Sequence, residues 1–185
     1  MFTYKYDFSI VMGYYNRKSL LINTLNKFSS IYKSYKYEVI IIDDNSSEEH
    51  KLNNFLNKYQ FPIKYLSISK EEKGQRINPC VVYNKGFKIA EGKIVIIQNP
   101  ECYHVGDLLQ YLKNNLTYND YIAFSCLACK SALATNRLLN NLQIINNPSP
   151  EDKYQYVWYN HPVFRSKNYH FCAAIMNDNL KVLGG

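Results

Sequence analysis

Four short apolar runs constrain this chain more than any other feature: F-S-I-V-M at 8–12, Y-E-V-I-I-I at 37–42, P-I-K-Y-L-S-I at 62–68 and I-V-I-I at 94–97. Most are nearly continuous and rich in β-branched residues, as strands buried on both faces are. Helical spacing fills the gaps between them. Leu20, Leu21, Leu25, Phe28 and Ile31 recur at three and four residues up to about Tyr35. Leu52, Phe55, Leu56 and Tyr59 do so after a capping Ser46 or Ser47, and another helix begins near Pro79, a good first-turn position. Gly92 reads as a tight turn into the strand 94–97. Strand and helix alternating in this way imply an α/β fold: a mostly parallel central sheet with helices on both faces. In open sheets of this kind ligands sit at the carboxyl ends of the strands.

The rest of the chain reads as a helix over 105–116, a strand over 121–129, a helix over 131–142, a loop at 146–150 and an aromatic, His-containing tail. That tail holds a late strand over 170–175 and a short final helix. A length of 185 residues is most simply one domain, with 1–101 as a nucleotide-binding half and 102–185 as its continuation. The net charge of +7 would favour an anionic ligand, but the lysines are scattered, so a solvated surface explains it equally well. No nucleic-acid-binding signature is present, and no apolar run approaches the ~20 residues of a membrane span. The start is polar and leads directly into a strand, so with five cysteines, an odd number, a reduced cytoplasmic setting is expected. Cys126 and Cys129 have C-x-x-C spacing but stand alone in a strand-like run, which argues against zinc or redox use.

Acidic residues arrive at two strand ends. Asp43 and Asp44 follow the second strand, where a doubly wound sheet meets the ribose or base of a nucleotide; either could instead cap the next helix. Gln98, Asn99 and Glu101 follow the fourth strand, and Glu101 suits a hard divalent cation, Mg²⁺ or Mn²⁺, or serves as a loop cap. The first turn, G-Y-Y-N-R at 13–17, lacks the glycine spacing that cradles a pyrophosphate, so metal at Glu101 with Arg76 or Arg17 would have to neutralise it. His104, three residues on, could join the metal or cap the helix that follows. Glu151 and Asp152 read as surface charges.

F-S-I-V-M-G-Y-Y-N-R (8–17), I-I-D-D-N-S (41–46), N-K-G-x-x-x-A-x-G (84–92) and the closing L-G-G (183–185) resemble, in order, the motifs of GT-A-fold glycosyltransferases of family 2. The resemblance implies that Gly13, Tyr15 and Asn16 pack around the nucleobase of a nucleotide sugar. It implies that Asp44 is the acid contacting the base, and that Arg76 and Asn84 lie along the diphosphate and sugar. Trp158, His161, His170 and Phe171 would border donor sugar and acceptor. The family's D-x-D metal motif is replaced by Q-N-P-E at 98–101: Glu101 falls on the final, metal-binding acid, and Asn99 stands in for the first. The family's catalytic base follows L-G-G-F-D-E, so it is expected beyond Gly185, which makes the second half incomplete and the domain C-terminally truncated.

The activity so implied is transfer of a sugar from a nucleoside-diphosphate sugar, UDP-type favoured, to a hydroxyl of a glycan, lipid or protein acceptor. Inversion would follow from the family, with Mn²⁺ or Mg²⁺ as cofactor. Two alternatives stand beside it. A sugar-nucleotide-binding domain without turnover would lack the base. A nucleotidyltransferase would need a glycine-rich basic loop after the first strand, which this sequence does not offer.

Overall fold

The computed structural model describes residues 3–146, 149, 152–166 and 171–184. The chain divides into two compact units, Met1–Ile122 with Phe171–Gly185, and Ala123–His170.

The first unit is built on a six-stranded sheet of order β3-β2-β1-β4-β8-β5. Its elements are, in chain order, β1 (Tyr6–Tyr14), α1 (Lys18–Ile31), β2 (Tyr37–Asp43), β3 (Ile63–Ser67), α2 (Lys70–Lys73), α3 (Cys80–Lys88), β4 (Gly92–Gln98), α4 (Leu108–Asn115) and β5 (Tyr121–Ala123). The chain returns to it as β8 (Cys172–Met176) and α6 (Asn177–Val182). β3, β2, β1 and β4 run parallel, with Tyr14 opposite Asp43 and Met12 opposite Gln98, whereas β8 lies antiparallel to β4. Every residue of β2 is buried, which is why its sequence shows no polar alternation.

Helices cover both faces. Val11, Ile40, Ile42 and Val95 point to one side and pack with Val82 of α3 and Leu180 of α6. On the other side Phe8 meets Tyr35, and Phe28, Tyr32, Tyr37 and His104 form an aromatic cluster around the end of α1. Two glycines set how closely neighbouring elements approach. A Cβ on Gly86 would stand 2.4 Å from a methyl of Val11, so α3 can lie on β1 only without a side chain there. Gly92 is not the tight turn expected from sequence: it is the first residue of β4, and its φ is not positive. It is required by crowding, since a Cβ would stand 2.4 Å from the backbone of Phe8 and Ser9.

The second unit holds β6 (Cys126–Cys129), α5 (Ala132–Asn140) and β7 (Tyr156–Asn160), with β6 and β7 paired antiparallel. Ser131 caps α5 by accepting from the Ala134 N–H. The strand expected over 121–129 is therefore two strands, interrupted at Phe124 and Ser125. The helix expected around Leu52–Tyr59 is also changed: only short 3₁₀ turns form, at Glu48–His50 and Asn53–Lys58, neither with a side-chain cap. The asparagines at 53, 54 and 57 favour turns over helix.

Candidate nucleotide-sugar site

The parallel order of β2, β1 and β4 brings their carboxyl ends to one edge. At ~4.8 Å per strand, the loops carrying Asp44 and Glu101 leave the sheet about 10 Å apart, with the β1 turn between them. That turn is tied to the β2 loop. The Asn16 N–H donates to Ser46 Oγ (3.0 Å), Asn16 Oδ1 accepts from the Ser47 N–H (2.9 Å), and the Asp44 N–H donates to the Tyr14 carbonyl (2.8 Å). Asn16 (φ 51°) and Asn45 (φ 62°) are the non-glycine residues with positive φ among the described residues, and both lie in these loops. Asparagine tolerates this conformation better than other side chains, and such outliers concentrate at functional sites.

On the β2 side Asp44 meets two cations, Arg76 Nη2 at 2.7 Å and Lys73 Nζ at 3.2 Å. Lys73 also donates to the Asp44 carbonyl (2.7 Å) and lies 3.8 Å from the centroid of the half-exposed Tyr15 ring. Arg76 Nε is buried without a hydrogen-bond partner. Asp43 is fully buried: Oδ1 accepts from the Ser46 N–H (2.8 Å), and Oδ2 from Tyr65 (2.5 Å) and Lys51 (3.2 Å). Burial works against its charge, but the bonds from Ser46, Tyr65 and Lys51 hold its carboxyl below the usual range.

On the β4 side Arg17 Nη1 pairs with Glu101 Oε1, while Glu101 Oε2 is buried without a partner. The Glu101 side chain is 28% exposed and that of Arg17 51%, so the pair opens to solvent. Tyr83 supports this end, its hydroxyl bonding the Gln98 carbonyl (3.0 Å) and Asn99 Oδ1 (3.1 Å), with its ring against Gly13. A Cβ at Gly13 would already stand 3.3 Å from Val82. Gln98 is fully buried, and Asn84 is half-buried on α3.

His104 turns away from the site. Its Nε2–H donates to Gln98 Oε1 (2.8 Å) and its Nδ1 accepts from the Tyr32 hydroxyl (2.6 Å), so both nitrogens are engaged inside the core. Burial, with Lys27 adding to it, pushes its pKa down to about 3. It is a neutral core histidine, not a metal ligand.

Of the tail residues, Phe171 belongs to the first unit, where its carbonyl accepts from the Asn99 N–H (3.0 Å) and the Cys102 thiol (2.9 Å); the others lie in the second unit or outside the described residues. Trp158 packs on His161 (4.4 Å between centroids) and stacks with Phe164 (6.2 Å). His161 Nδ1 accepts from the N–H groups of Val163 and Phe164 and so closes its own turn. His170, Gly185 and Glu151 lie outside the described residues. Asp152 is not a surface charge: it is 2% exposed and held by Ser149 (2.7 Å) and Arg137 (3.2 Å).

Lys73 and Tyr83 also stand at this edge, and the sequence reading did not single them out. For Lys73 a signal was present: Ser69 caps α2 by accepting from the Glu72 N–H, and Gly74 ends it with φ 52°. Ser, then Glu three residues on, then Gly marks a one-turn helix that ends at this lysine.

Among the described residues no three His, Cys, Asp or Glu side chains come together as a metal cluster. The fit to a divalent ion rests on Glu101, whose Oε2 has no partner. One carboxylate oxygen suffices for Mg²⁺ or Mn²⁺ when phosphate oxygens of a ligand complete the shell.

A family model described as "Glycosyl transferase family 2" matches residues 9–178. The dolichol-phosphate mannosyltransferase of Pyrococcus furiosus is 25% identical over 112 residues, 57% of this chain and 30% of that protein. The poly(ribitol-phosphate) β-N-acetylglucosaminyltransferase TarP of Staphylococcus aureus is 28% identical over 112 residues, 58% of this chain and 33% of its own length. The chain thus spans about a third of the curated relatives it matches. The mannosyltransferase PcManGT of Pyrobaculum calidifontis, solved with GDP-Man and Mn²⁺, superposes over 99% of this chain and 48% of that one, with TM-score 0.60 and 17% identity.

Proposed function

We infer the function from one premise: this chain belongs to glycosyl transferase family 2 and has the GT-A fold. Its carboxyl sheet edge binds a nucleoside-diphosphate sugar, and the protein it belongs to transfers that sugar to an acceptor hydroxyl. The reading is carried by the edge itself: the parallel order of β2, β1 and β4 puts Asp44 with Arg76 and Lys73 beyond the end of β2 and Glu101 with Arg17 beyond the end of β4, with the β1 turn between.

In this reading the nucleobase lies against Tyr15 and the turn at Gly13 and Asn16, and Asp44 accepts from a base N–H. Arg76 and Lys73 already hold Asp44 in place, and their remaining N–H donors reach towards the diphosphate, with Asn84 beside the sugar. Asp43 and Gln98 act from behind, the first fixing the β2 loop through Ser46 and the second fixing β4 through His104. Glu101 and the diphosphate oxygens would hold Mn²⁺ or Mg²⁺, which supplies charge for the departing diphosphate.

The acceptor oxygen attacks the anomeric carbon and its proton passes to a carboxylate base. The bond from that carbon to the diphosphate breaks, and its electron pair leaves with the nucleoside diphosphate. Attack opposite the leaving group inverts the centre. The base is proposed, as the family resemblance implies, to lie beyond Gly185. A glycan, lipid or protein hydroxyl is the acceptor class, with Trp158, His161 and His170 as proposed contacts.

A second reading, binding without turnover, is favoured by one observation: Asp43, Asp44 and Glu101 are each already paired with a cation.

Thermal-shift titration with UDP and GDP, each with and without Mn²⁺, tests the site. At a hundredfold excess over Kd a ligand stabilises the folded state by about 2.7 kcal/mol. A shift with UDP that Mn²⁺ enlarges supports the UDP-type donor; no shift with any nucleotide overturns the reading. Release of free UDP from a UDP-sugar separates transfer from binding alone.

A further inference from the structure

The Arg17–Glu101 pair has a role that the family reading leaves open. Glu101 is the sole acid of the Q-N-P-E segment, and Asn99, which stands where a second acid would, already accepts from Tyr83. One oxygen of Glu101 carries the Arg17 guanidinium and the other is buried and unpartnered. Arg17 precedes α1 as its N-cap yet makes no side-chain cap bond there, and half of its side chain is exposed. Its guanidinium is therefore held by Glu101 and not by the helix it begins.

We propose that Arg17 is a resident counter-ion of Glu101: it occupies the carboxylate when no donor is bound, competes with the divalent cation for it, and passes to the donor diphosphate when metal and nucleotide enter together. A fixed positive charge beside a lone carboxylate opposes binding of a second, doubly charged cation. The planar fork that pairs with a carboxylate pairs equally with a diphosphate, so the transfer exchanges one charge-assisted contact for another. Metal and donor then bind cooperatively, because the donor gives Arg17 a new partner as the metal takes its old one. This makes Arg17 a positioning residue, and it rests on the reading of Glu101 as the metal-side carboxylate.

The test is a Mn²⁺ titration followed by the electron paramagnetic resonance of free Mn²⁺, in the absence and presence of UDP. It uses the wild-type chain, Arg17→Gln, Arg17→Lys and Glu101→Gln, with circular dichroism confirming that each folds. Without nucleotide, Arg17→Gln is expected to bind Mn²⁺ about tenfold tighter than wild type, the size of one partly exposed charge contact. Arg17→Lys, which keeps the charge, stays near wild type. With UDP present the order reverses: Arg17→Gln binds UDP about tenfold more weakly, and Arg17→Lys recovers part of the loss.

Unchanged or weaker Mn²⁺ binding by Arg17→Gln without nucleotide, while Glu101→Gln abolishes it, overturns the competition and leaves the metal reading standing. If Glu101→Gln leaves Mn²⁺ binding intact in both backgrounds, the metal reading itself falls and the proposal falls with it.

Discussion

The amino and carboxyl edges of the central sheet carry comparable charges in opposite states. Towards the amino edge, Glu38 is fully buried on β2. Its Oε1 accepts from Ser9 Oγ (2.7 Å) and the Glu91 N–H (2.7 Å), and Lys64 Nζ lies 2.8 Å from its Oε2. Lys64 reaches on to Glu91 (2.6 Å), which Lys5 also approaches (3.8 Å). Although burial works against it, the Glu38 and Glu91 carboxylates hold the Lys64 ammonium above its ordinary range. There two acids meet two lysines. At the carboxyl edge, Asp43, Asp44 and Glu101 meet Arg17, Lys51, Lys73 and Arg76. That edge also holds Asn16 and Asn45 in left-handed backbone. The difference lies in the backbone: the amino-edge pairs sit on and beside regular strands, whereas the carboxyl-edge pairs sit by loops in left-handed backbone, where functional sites concentrate, as the proposed function requires.

The largest test of that contrast is acid. His104, behind the carboxyl edge, has its folded pKa depressed to about 3 against 6.5 when unfolded. Between those values the unfolded chain binds the extra proton, so this stabilisation is complete above pH 6.5 and is lost as pH falls towards 3. The full loss is on the order of 5 kcal/mol. Asp43, also depressed, adds a later loss below its unfolded value of 3.8. Melting temperature measured from pH 7.5 down to 4 should fall in the wild type and fall less in His104→Asn relative to its own value at pH 7.5. Parallel curves would show that His104 does not govern the acid limb.

Next comes Gly92→Ala at the amino edge. The added Cβ would meet backbone atoms at 2.4 Å that cannot swing aside, so a loss of about 3 kcal/mol is expected in urea unfolding. Glu38→Ala should cost about 3 kcal/mol, because it removes the buried partner of Lys64 and leaves Ser9 Oγ without its acceptor. In both variants the fraction that remains folded should bind nucleotide as the wild type does. A selective loss of affinity would erase the distinction between the edges.

The smallest effect on stability falls at the carboxyl edge. Asp44→Asn releases Arg76 and Lys73 at a partly exposed position, so unfolding should change by less than about 1 kcal/mol. Calorimetric affinity for a nucleoside diphosphate should fall about tenfold, or 1.4 kcal/mol. A large stability change with unaltered affinity would place Asp44 with Glu38 as a structural acid.

How much was legible follows the same division. The strands of the parallel sheet were readable because burial on both faces leaves continuous β-branched runs, as in β2 and in 94–97 of β4. The expected edge positions of Asp44, Asn16 and Glu101 followed from that topology. Side-chain direction did not: nothing in the spacing says that His104 turns inward to Tyr32 and Gln98, or that Asp152 is buried against Ser149 and Arg137. Those outcomes depend on residues 72 positions apart in the first case and on a local turn in the second. Gly92 was recognised as special for the wrong reason, since crowding between strands leaves the same mark in sequence as a turn does. The 3₁₀ turns at 48–58 were missed because their apolar spacing is helical while their asparagines are not.

The antiparallel strand β8 carries a consequence for biosynthesis. A ribosome completes β4 at Gln98, but the strand that covers its outer edge begins only at Cys172, after the whole of the second unit. At about 5–20 residues per second, the row of N–H and C=O groups along Ile94–Gln98 waits on the order of ten seconds for its neighbour. Until then the nascent chain presents an unpaired apolar strand, and this interval is when a chaperone has most to protect.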